Sequence, residues 1–147
     1  VQSKFSWGVM GMKEETAKQV EANLKDKTSP FYLGPAYENI LDFKTADPDS
    51  ERFNRLVDQH NHYYPYLYTA LYLKQIMAEW QLAGYNINNR PEILATLFNL
   101  GFAKSEPKAL PQVGGALIEV GGQEYSFGNL AFQFYYSSEL LDYFPWQ

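Results

Sequence analysis

The segment Tyr66–Ala83 restricts the possible folds of this chain more than any other feature. Its apolar residues cover a wide face of a helix, and Gly84 follows where such a helix would end. The apolar positions are Leu67, Ala70, Leu71, Leu73, Ile76, Met77 and Trp80. Because a face this wide is unfavourable in water, we expect a central helix that is covered on more than one side.

Shorter helices are predicted around this segment. In Met12–Leu24, the residues Met12, Thr16, Val20 and Leu24 recur every four positions, which predicts a helix, and a short helix is also predicted at Glu51–Gln59. The expected inward side of the second helix consists of Phe53, Leu56 and Val57. A further helix is expected from Pro91 to Gly101, since proline suits a first helical turn and glycine a helix end.

After Gly101 the sequence pattern changes from helical periodicity to a predicted hairpin. Ala116–Val120 and Gln123–Ser126 flank a Gly-Gly pair, which predicts a β-hairpin. Phe127–Tyr136 fits a helix or a strand, and we favour the helix. A helical turn is expected at Ser138–Phe144. The predicted fold class is therefore mainly α (α+β), one domain over 1–147, with a helical core at 1–101 and a C-terminal extension at 102–147.

Composition excludes several classes of function. The 147 residues carry a net charge of −5, which disfavours a nucleic-acid binder. There is no Cys, which rules out disulfides and thiolate metal sites. No apolar run is long enough to span a membrane. Aromatic residues reach 17%, more than a small core needs, so we expect some to line a surface groove.

Metal and phosphate sites find little support in the motifs. His60 and His62 lie near Asp58, but no stronger metal motif accompanies them, and a polar turn is the better interpretation. No metal or other cofactor is expected. Four tyrosines lie just before the central helix and in its first turn, and such rings can stack on sugars or cover the core. They are Tyr63, Tyr64, Tyr66 and Tyr68. Both roles stay open.

The stretch Ser6–Ala17 carries the most specific pattern. It predicts a tight turn that leads into a helix, with Gly8 and Gly11 allowing the backbone to approach a ligand closely. The stretch resembles the G-L-M-Q-x-x-x-x-T-A motif of lytic transglycosylases of the lysozyme superfamily. Gly11 stands where that family usually has Gln.

Two more blocks follow in the order of that family. Ala70–Leu73 resembles the A-x-Y-L of its central helix, and Ala95–Gly101 resembles its A-A-Y-N-A-G block, with Phe98 in place of Tyr. The resemblance covers about Gln2 to Gly101 and implies a lysozyme-like helical domain. Trp80–Leu97 is also similar to a W-x-x-A-G-Y-x-I-x-x-R-P-E-I-L-A-T-L pattern of poorly characterised bacterial domains.

The resemblance implies cleavage of peptidoglycan at MurNAc–GlcNAc β-1,4 bonds by a single acid/base Glu. That Glu belongs to an E-S-x-F motif, and this chain has Gln2, Ser3 and Phe5 there, so Gln2 occupies the position of the acid. Three explanations stay open: a Glu-to-Gln inactivated form, a natural homologue that only binds glycan, or a shifted alignment. In the last case the acid lies upstream of Val1, or is Glu38, Glu119 or Glu124.

The remaining roles follow from the resemblance by position. The implied groove residues are Ser3, Phe5, Met10, Gly11, Tyr72, Phe98, Asn99, Tyr64 and Tyr66. Asn99 would bond an N-acetyl group. The hydrogen bond of the hydroxyl that Phe98 lacks would be absent, or Tyr72 or one of Tyr63 to Tyr68 would supply it to the acid or the substrate. The implied partner is peptidoglycan or a related amino-sugar glycan, in the bacterial periplasm or cell envelope. The alternatives are a goose-lysozyme-like hydrolase, a non-catalytic glycan-binding module and a helical interaction domain.

Overall fold

A computed structural model describes residues 5–143 and shows a mixed helical and β structure, which confirms the α+β class. Its helices are α1 (Glu14–Lys25), α2 (Pro48–Val57), α3 (Tyr63–Leu82), α4 (Pro91–Leu100) and α5 (Phe127–Tyr136). Its strands form two antiparallel pairs, β1 (Ser6–Trp7) with β2 (Met12–Lys13) and β3 (Leu117–Val120) with β4 (Gln123–Ser126). The chain divides into two compact units, Val1–Leu82 and Ala83–Gln147.

The predicted turn before α1 is a small hairpin. Met12 lies in β2, so the prediction that the helix begins there was wrong; it begins at Glu14. Gly11 N–H donates to the Gly8 carbonyl (3.1 Å) and closes the turn. Gly8 has φ +65°, and a Cβ there would lie 1.8 Å from the Leu56 carbonyl oxygen. The close approach that Gly8 permits is therefore to α2 and not to a ligand.

Helix α3 forms the centre of the first unit, as its apolar width predicted. Helices α1 and α2 both pack against it. Tyr68, Tyr72, Ile76 and Trp80 are buried. The side chain of the fully buried Gln75 donates to the Val20 carbonyl (2.9 Å), so this polar group has a partner in the core.

Helix α2 differs from its prediction in both its start and its orientation. It begins at Pro48, because Asp47 caps it by accepting a hydrogen bond from the Ser50 amide (3.1 Å). Phe53 was expected to face inward, but it is 42% exposed. Arg52 and Arg55 face inward instead, since acidic and aromatic partners neutralise and cover their charges.

The second unit is built on the contact between α4 and α5. Gly128 of α5 lies so near α4 that a Cβ there would be 2.3 Å from Thr96 Oγ1. The β3–β4 hairpin and the helix Phe127–Tyr136 are confirmed, and Ser126 caps that helix. The expected helical turn after Ser138 is a succession of hydrogen-bonded turns as far as Tyr143, with Ser138 at φ +67°.

Candidate functional site

Two depressions that share residues of α2 form the strongest candidate site in the first unit. The first has a volume of about 510 Å³ and is lined by Lys44, Thr45, Asp47, Ser50, Glu51, Asn54, Arg55, Asp58, Asn61 and Tyr64. The second has a volume of about 300 Å³ and is lined by Trp7, Glu14, Asp49, Ser50, Phe53 and Asn54. Because both include Ser50 and Asn54, we call them together the α2 depressions.

A buried arginine supports the first depression. The Arg55 side chain is 5% exposed and donates to the carbonyls of Leu41 and Asp42, each at 2.8 Å. It also donates to Glu51 Oε1 (2.6 Å), one helical turn away. Since the guanidinium is held by two loop carbonyls and one carboxylate, it anchors the loop that precedes α2.

The carboxylate of Glu51 completes this anchor. It accepts hydrogen bonds from the amides of Lys44 and Thr45 and from the Thr45 hydroxyl (2.9 Å). Burial acts to raise the pKa of Glu51, but these hydrogen bonds and the charge of Arg55 outweigh it and lower the pKa. Glu51 is therefore ionised near neutral pH.

Aromatic rings border both depressions. The Tyr64 ring covers the guanidinium of Arg55, whose central carbon lies 4.4 Å from the ring centroid. In the second depression, Trp7 meets Phe53 edge to face, with 5.1 Å between the ring centroids. These rings offer apolar surface beside polar groups, an arrangement that suits a sugar ring.

A second buried ion pair connects α2 to α1 and α3. Arg52, 5% exposed, donates from Nε and Nη2 to the two carboxylate oxygens of Glu21, at 2.7 and 2.6 Å. The Tyr68 hydroxyl donates to the same carboxylate (2.6 Å). Burial and this carboxylate raise the pKa of Tyr68. Asp49, which lines the second depression, accepts from Arg52 Nη1 (2.6 Å).

Most lining carboxyls are held as anions. The pKa of Asp47 is lowered by Ser50, that of Asp49 by Arg52 and Lys18, and that of Asp58 by the amides of His60 and Asn61. Together with Glu51, these groups accept hydrogen bonds but cannot donate a proton near neutral pH. The side chain of Asn54 has no hydrogen-bond partner among the described residues, and it borders both depressions. It can offer a ligand both a donor and an acceptor.

Only some of the sequence-predicted site residues of the first unit lie at the α2 depressions. Gln2 and Ser3 lie outside the described residues. Phe5 is 63% exposed, Met10 is half-buried and Gly11 is exposed, all on or beside the β1–β2 hairpin. Tyr64 lines the first depression, as an aromatic groove residue should. Tyr66 is exposed, and its ring lies 5.9 Å from that of His62.

Tyr72 does not have the predicted position. Its relative exposure is 0%, and burial raises the pKa of its hydroxyl. The expectation that it presents this hydroxyl to a substrate was wrong, because Tyr72 is on the covered side of α3. Tyr68 is likewise a core residue, bonded to Glu21. Among the four clustered tyrosines, the core role and the surface role are thus both represented.

The remaining predicted residues belong to the second unit. Asn99 Oδ1 accepts a hydrogen bond from the Ala116 amide (2.8 Å), so its carbonyl oxygen holds the loop that leads into β3. Asn99 was expected to bond an N-acetyl group, and in the structure its side-chain oxygen bonds the Ala116 amide. Phe98 is half-buried.

The alternative acids differ in their environments. The Tyr32 hydroxyl donates to Glu38 and, with Lys27, lowers its pKa, so Glu38 is not a proton donor near neutral pH. Glu119 and Glu124 face each other across the β3–β4 hairpin and are exposed. They lack the apolar enclosure that would keep a carboxylic acid protonated.

The sequence pattern predicted a helix in the region of α2 but did not identify Glu51, Asn54 and Arg55 as candidate site residues. Two of the three arginines of the chain lie in this helix, and Glu51 precedes Arg55 by four residues, the spacing of a helical ion pair. The sequence Asp47-Pro48 also marks the helix start. These patterns were visible, but they are equally typical of a solvated helix, and only the fold shows that the arginines are buried.

Comparisons with known proteins give no relatives. No family model, no curated protein and no solved structure matches the chain. Between residues 5 and 143 there is no group of three or more His, Asp or Glu side chains that could hold a metal ion. No helix in that range has both the length and the apolar character needed to cross a bilayer.

Proposed function

We propose that this chain is a lytic transglycosylase-like domain that engages the MurNAc–GlcNAc strand of peptidoglycan in the bacterial cell envelope. The observation that carries the proposal is the position of the β1–β2 hairpin. This hairpin bears the Gly-Val-Met part of the first motif, packs on α2 through Gly8, and contributes Trp7 to the second α2 depression. The Gly-Val-Met part of the first motif therefore belongs to the same hairpin that lines the second α2 depression.

The α2 depressions supply the contacts that an amino sugar requires. The Trp7–Phe53 pair offers apolar ring surface. The unpaired amide of Asn54 can bond an N-acetyl group, and the ionised Asp49 and Asp47 can accept hydrogen bonds from sugar hydroxyls. A neutral or weakly charged saccharide fits this mixture better than a strongly anionic ligand.

The implied chemistry needs one carboxylic acid. The acid protonates the glycosidic oxygen as the bond to the anomeric carbon breaks. Its carboxylate then takes the proton of the muramic acid 6-hydroxyl as that oxygen bonds to the anomeric carbon, which yields a 1,6-anhydro sugar. Gln2 cannot perform either transfer, because an amide has no acidic proton to exchange. With Gln2 at the position of the acid, the chain is expected to bind glycan without cleaving it.

A non-catalytic glycan-binding module is the second candidate function. The amide at position 2 and the lowered pKa values of Asp47, Asp49, Glu51 and Asp58 favour it, because none of these groups can act as the acid. A hydrolase similar to goose-type lysozyme would differ from both by releasing reducing ends.

The test is digestion of purified peptidoglycan by the chain and its Gln2→Glu variant, with products identified by mass spectrometry. Gln19→Glu is the matched control, because Gln19 is exposed on α1 and the charge change is the same. Anhydro-muropeptides from Gln2→Glu alone support the proposal. Reducing-end products indicate a hydrolase, and saturable binding without any product supports the binding module. If the chain and its Gln2→Glu variant neither bind peptidoglycan nor release any product, the proposal is wrong.

A further inference from the structure

The edge of strand β3 in the second unit is open. Leu117 is 67% exposed, Ile118 36% and Val120 53%. Within residues 5–143, β3 pairs only with β4, in which Tyr125 and Ser126 are half-buried, and α5 follows β4 directly in the chain. An exposed apolar edge strand is a template for pairing with a further strand.

All charged residues in the chain segment that contains this edge are acidic. No Lys, Arg or His occurs from Ala109 to Tyr143, a stretch that contains Glu119, Glu124, Glu139 and Asp142. Glu119 and Glu124 are directly opposite each other in the hairpin register. Like charges in that position destabilise a strand pair. A cation placed beside them would relieve the repulsion.

We propose that the β3 edge binds an extended segment of another protein that carries apolar and basic residues and adds to the hairpin as a third strand. Side chains alternate between the two faces of a strand, so Leu117 and Glu119 share one face, and Ile118 and Val120 share the other. The added strand therefore places a lysine or arginine beside Glu119 and apolar residues beside Leu117, Ile118 and Val120.

The negative charge of the β3–β4 hairpin disfavours two other occupants of the β3 edge. A second copy of this chain that paired through the same edge would bring a second Glu119 to the seam, and its β3–β4 hairpin carries no basic residue to offset the charge. An anionic lipid surface would be repelled by the same carboxylates. A basic segment is the occupant whose charge complements this surface.

Fluorescence anisotropy on the full chain tests the proposal. The probe is a fluorescein-labelled peptide of sequence lysine-threonine-valine-valine-lysine-valine-threonine. One control peptide has both lysines replaced by glutamate. A second has alternate backbone amides methylated, which blocks strand pairing but keeps the charge. On the protein, Glu119→Gln/Glu124→Gln removes the two facing carboxylates, and Glu139→Gln/Asp142→Asn is the charge-matched control outside the hairpin.

We expect the lysine peptide to bind saturably and both control peptides to bind at least about tenfold more weakly. The Glu119→Gln/Glu124→Gln variant should lose about tenfold in affinity, and the control Glu139→Gln/Asp142→Asn should not. Because the Glu119→Gln/Glu124→Gln change removes a repulsion, unfolding would not explain the loss. Equal binding of the lysine and glutamate peptides, no effect of the Glu119→Gln/Glu124→Gln change, no saturable binding, or self-association through β3 in sedimentation would each overturn the proposal.

Discussion

Removing Glu21 should destabilise the first unit strongly. Its carboxylate accepts two hydrogen bonds from Arg52 and one from Tyr68. In Glu21→Ala the guanidinium, 5% exposed, keeps only Asp49 as its carboxylate partner, and that side chain is 69% exposed. Breaking a buried ion pair from one side costs about 3–5 kcal/mol, a large fraction of the roughly 5–15 kcal/mol that stabilises a typical domain.

Urea unfolding followed by circular dichroism measures this cost. The control is Asp42→Ala, which removes an exposed ion pair with Lys25 and should cost at most about 1 kcal/mol. Adding Arg52→Met to Glu21→Ala should restore part of the lost stability, because no buried charge is then left without its partner. If Glu21→Ala costs no more than Asp42→Ala, the argument from the buried pair is wrong.

Three further predictions concern packing and pH. Gly8→Ala should lower the free energy of unfolding by at least about 2 kcal/mol, because a Cβ would meet the Leu56 carbonyl at positive φ; an unchanged urea midpoint would contradict this. Gly128→Ala should cost about 1–3 kcal/mol through its collision with Thr96 Oγ1, and it should accelerate hydrogen exchange in α4 and α5. The raised pKa of Tyr68 means that the folded state retains the phenolic proton longer than the unfolded state. The contribution of Tyr68 to stability should therefore be constant below the usual tyrosine pKa and fall as pH rises above about 10, so the alkaline loss of stability should be less steep in Tyr68→Phe.

The elements that local pattern determines were predictable. The width of the apolar face identified α3 as central, and the Gly121-Gly122 pair located the β3–β4 hairpin. The helix at Phe127–Tyr136 was favoured over a strand and is present. In these segments the hydrophobic periodicity and the residues that form turns or end helices indicate the same structure. The secondary structure can therefore be predicted without tertiary information.

Tertiary contacts determined the features that the sequence did not show. The inward side of α2 depends on the partners of Arg52 and Arg55, which come from α1 and from the loop at Leu41–Asp42. Likewise, Met12 fits a helical periodicity but pairs with Trp7 in a strand. No local rule distinguishes a buried, paired arginine from a solvated one.

The candidate site was predicted only in part. Tyr64 was named from its aromatic cluster and lines a depression. Tyr72 was named from a motif position and is buried. Asn54 was not named at all, because a single asparagine on a polar helix face has no distinctive pattern. Burial and partnering are properties of the folded chain.

The most direct test of glycan binding at the α2 depressions is an NMR titration in which a soluble GlcNAc–MurNAc oligosaccharide is added to the unsubstituted chain, which carries Gln2. The account predicts saturable shifts of the Trp7 indole N–H and the Asn54 side-chain amide. The Trp7 shift should be reduced in Asn54→Ala, and the Asn54 shift should be reduced in Trp7→Ala. Shifts absent from these two groups, or confined to the second unit, would contradict it.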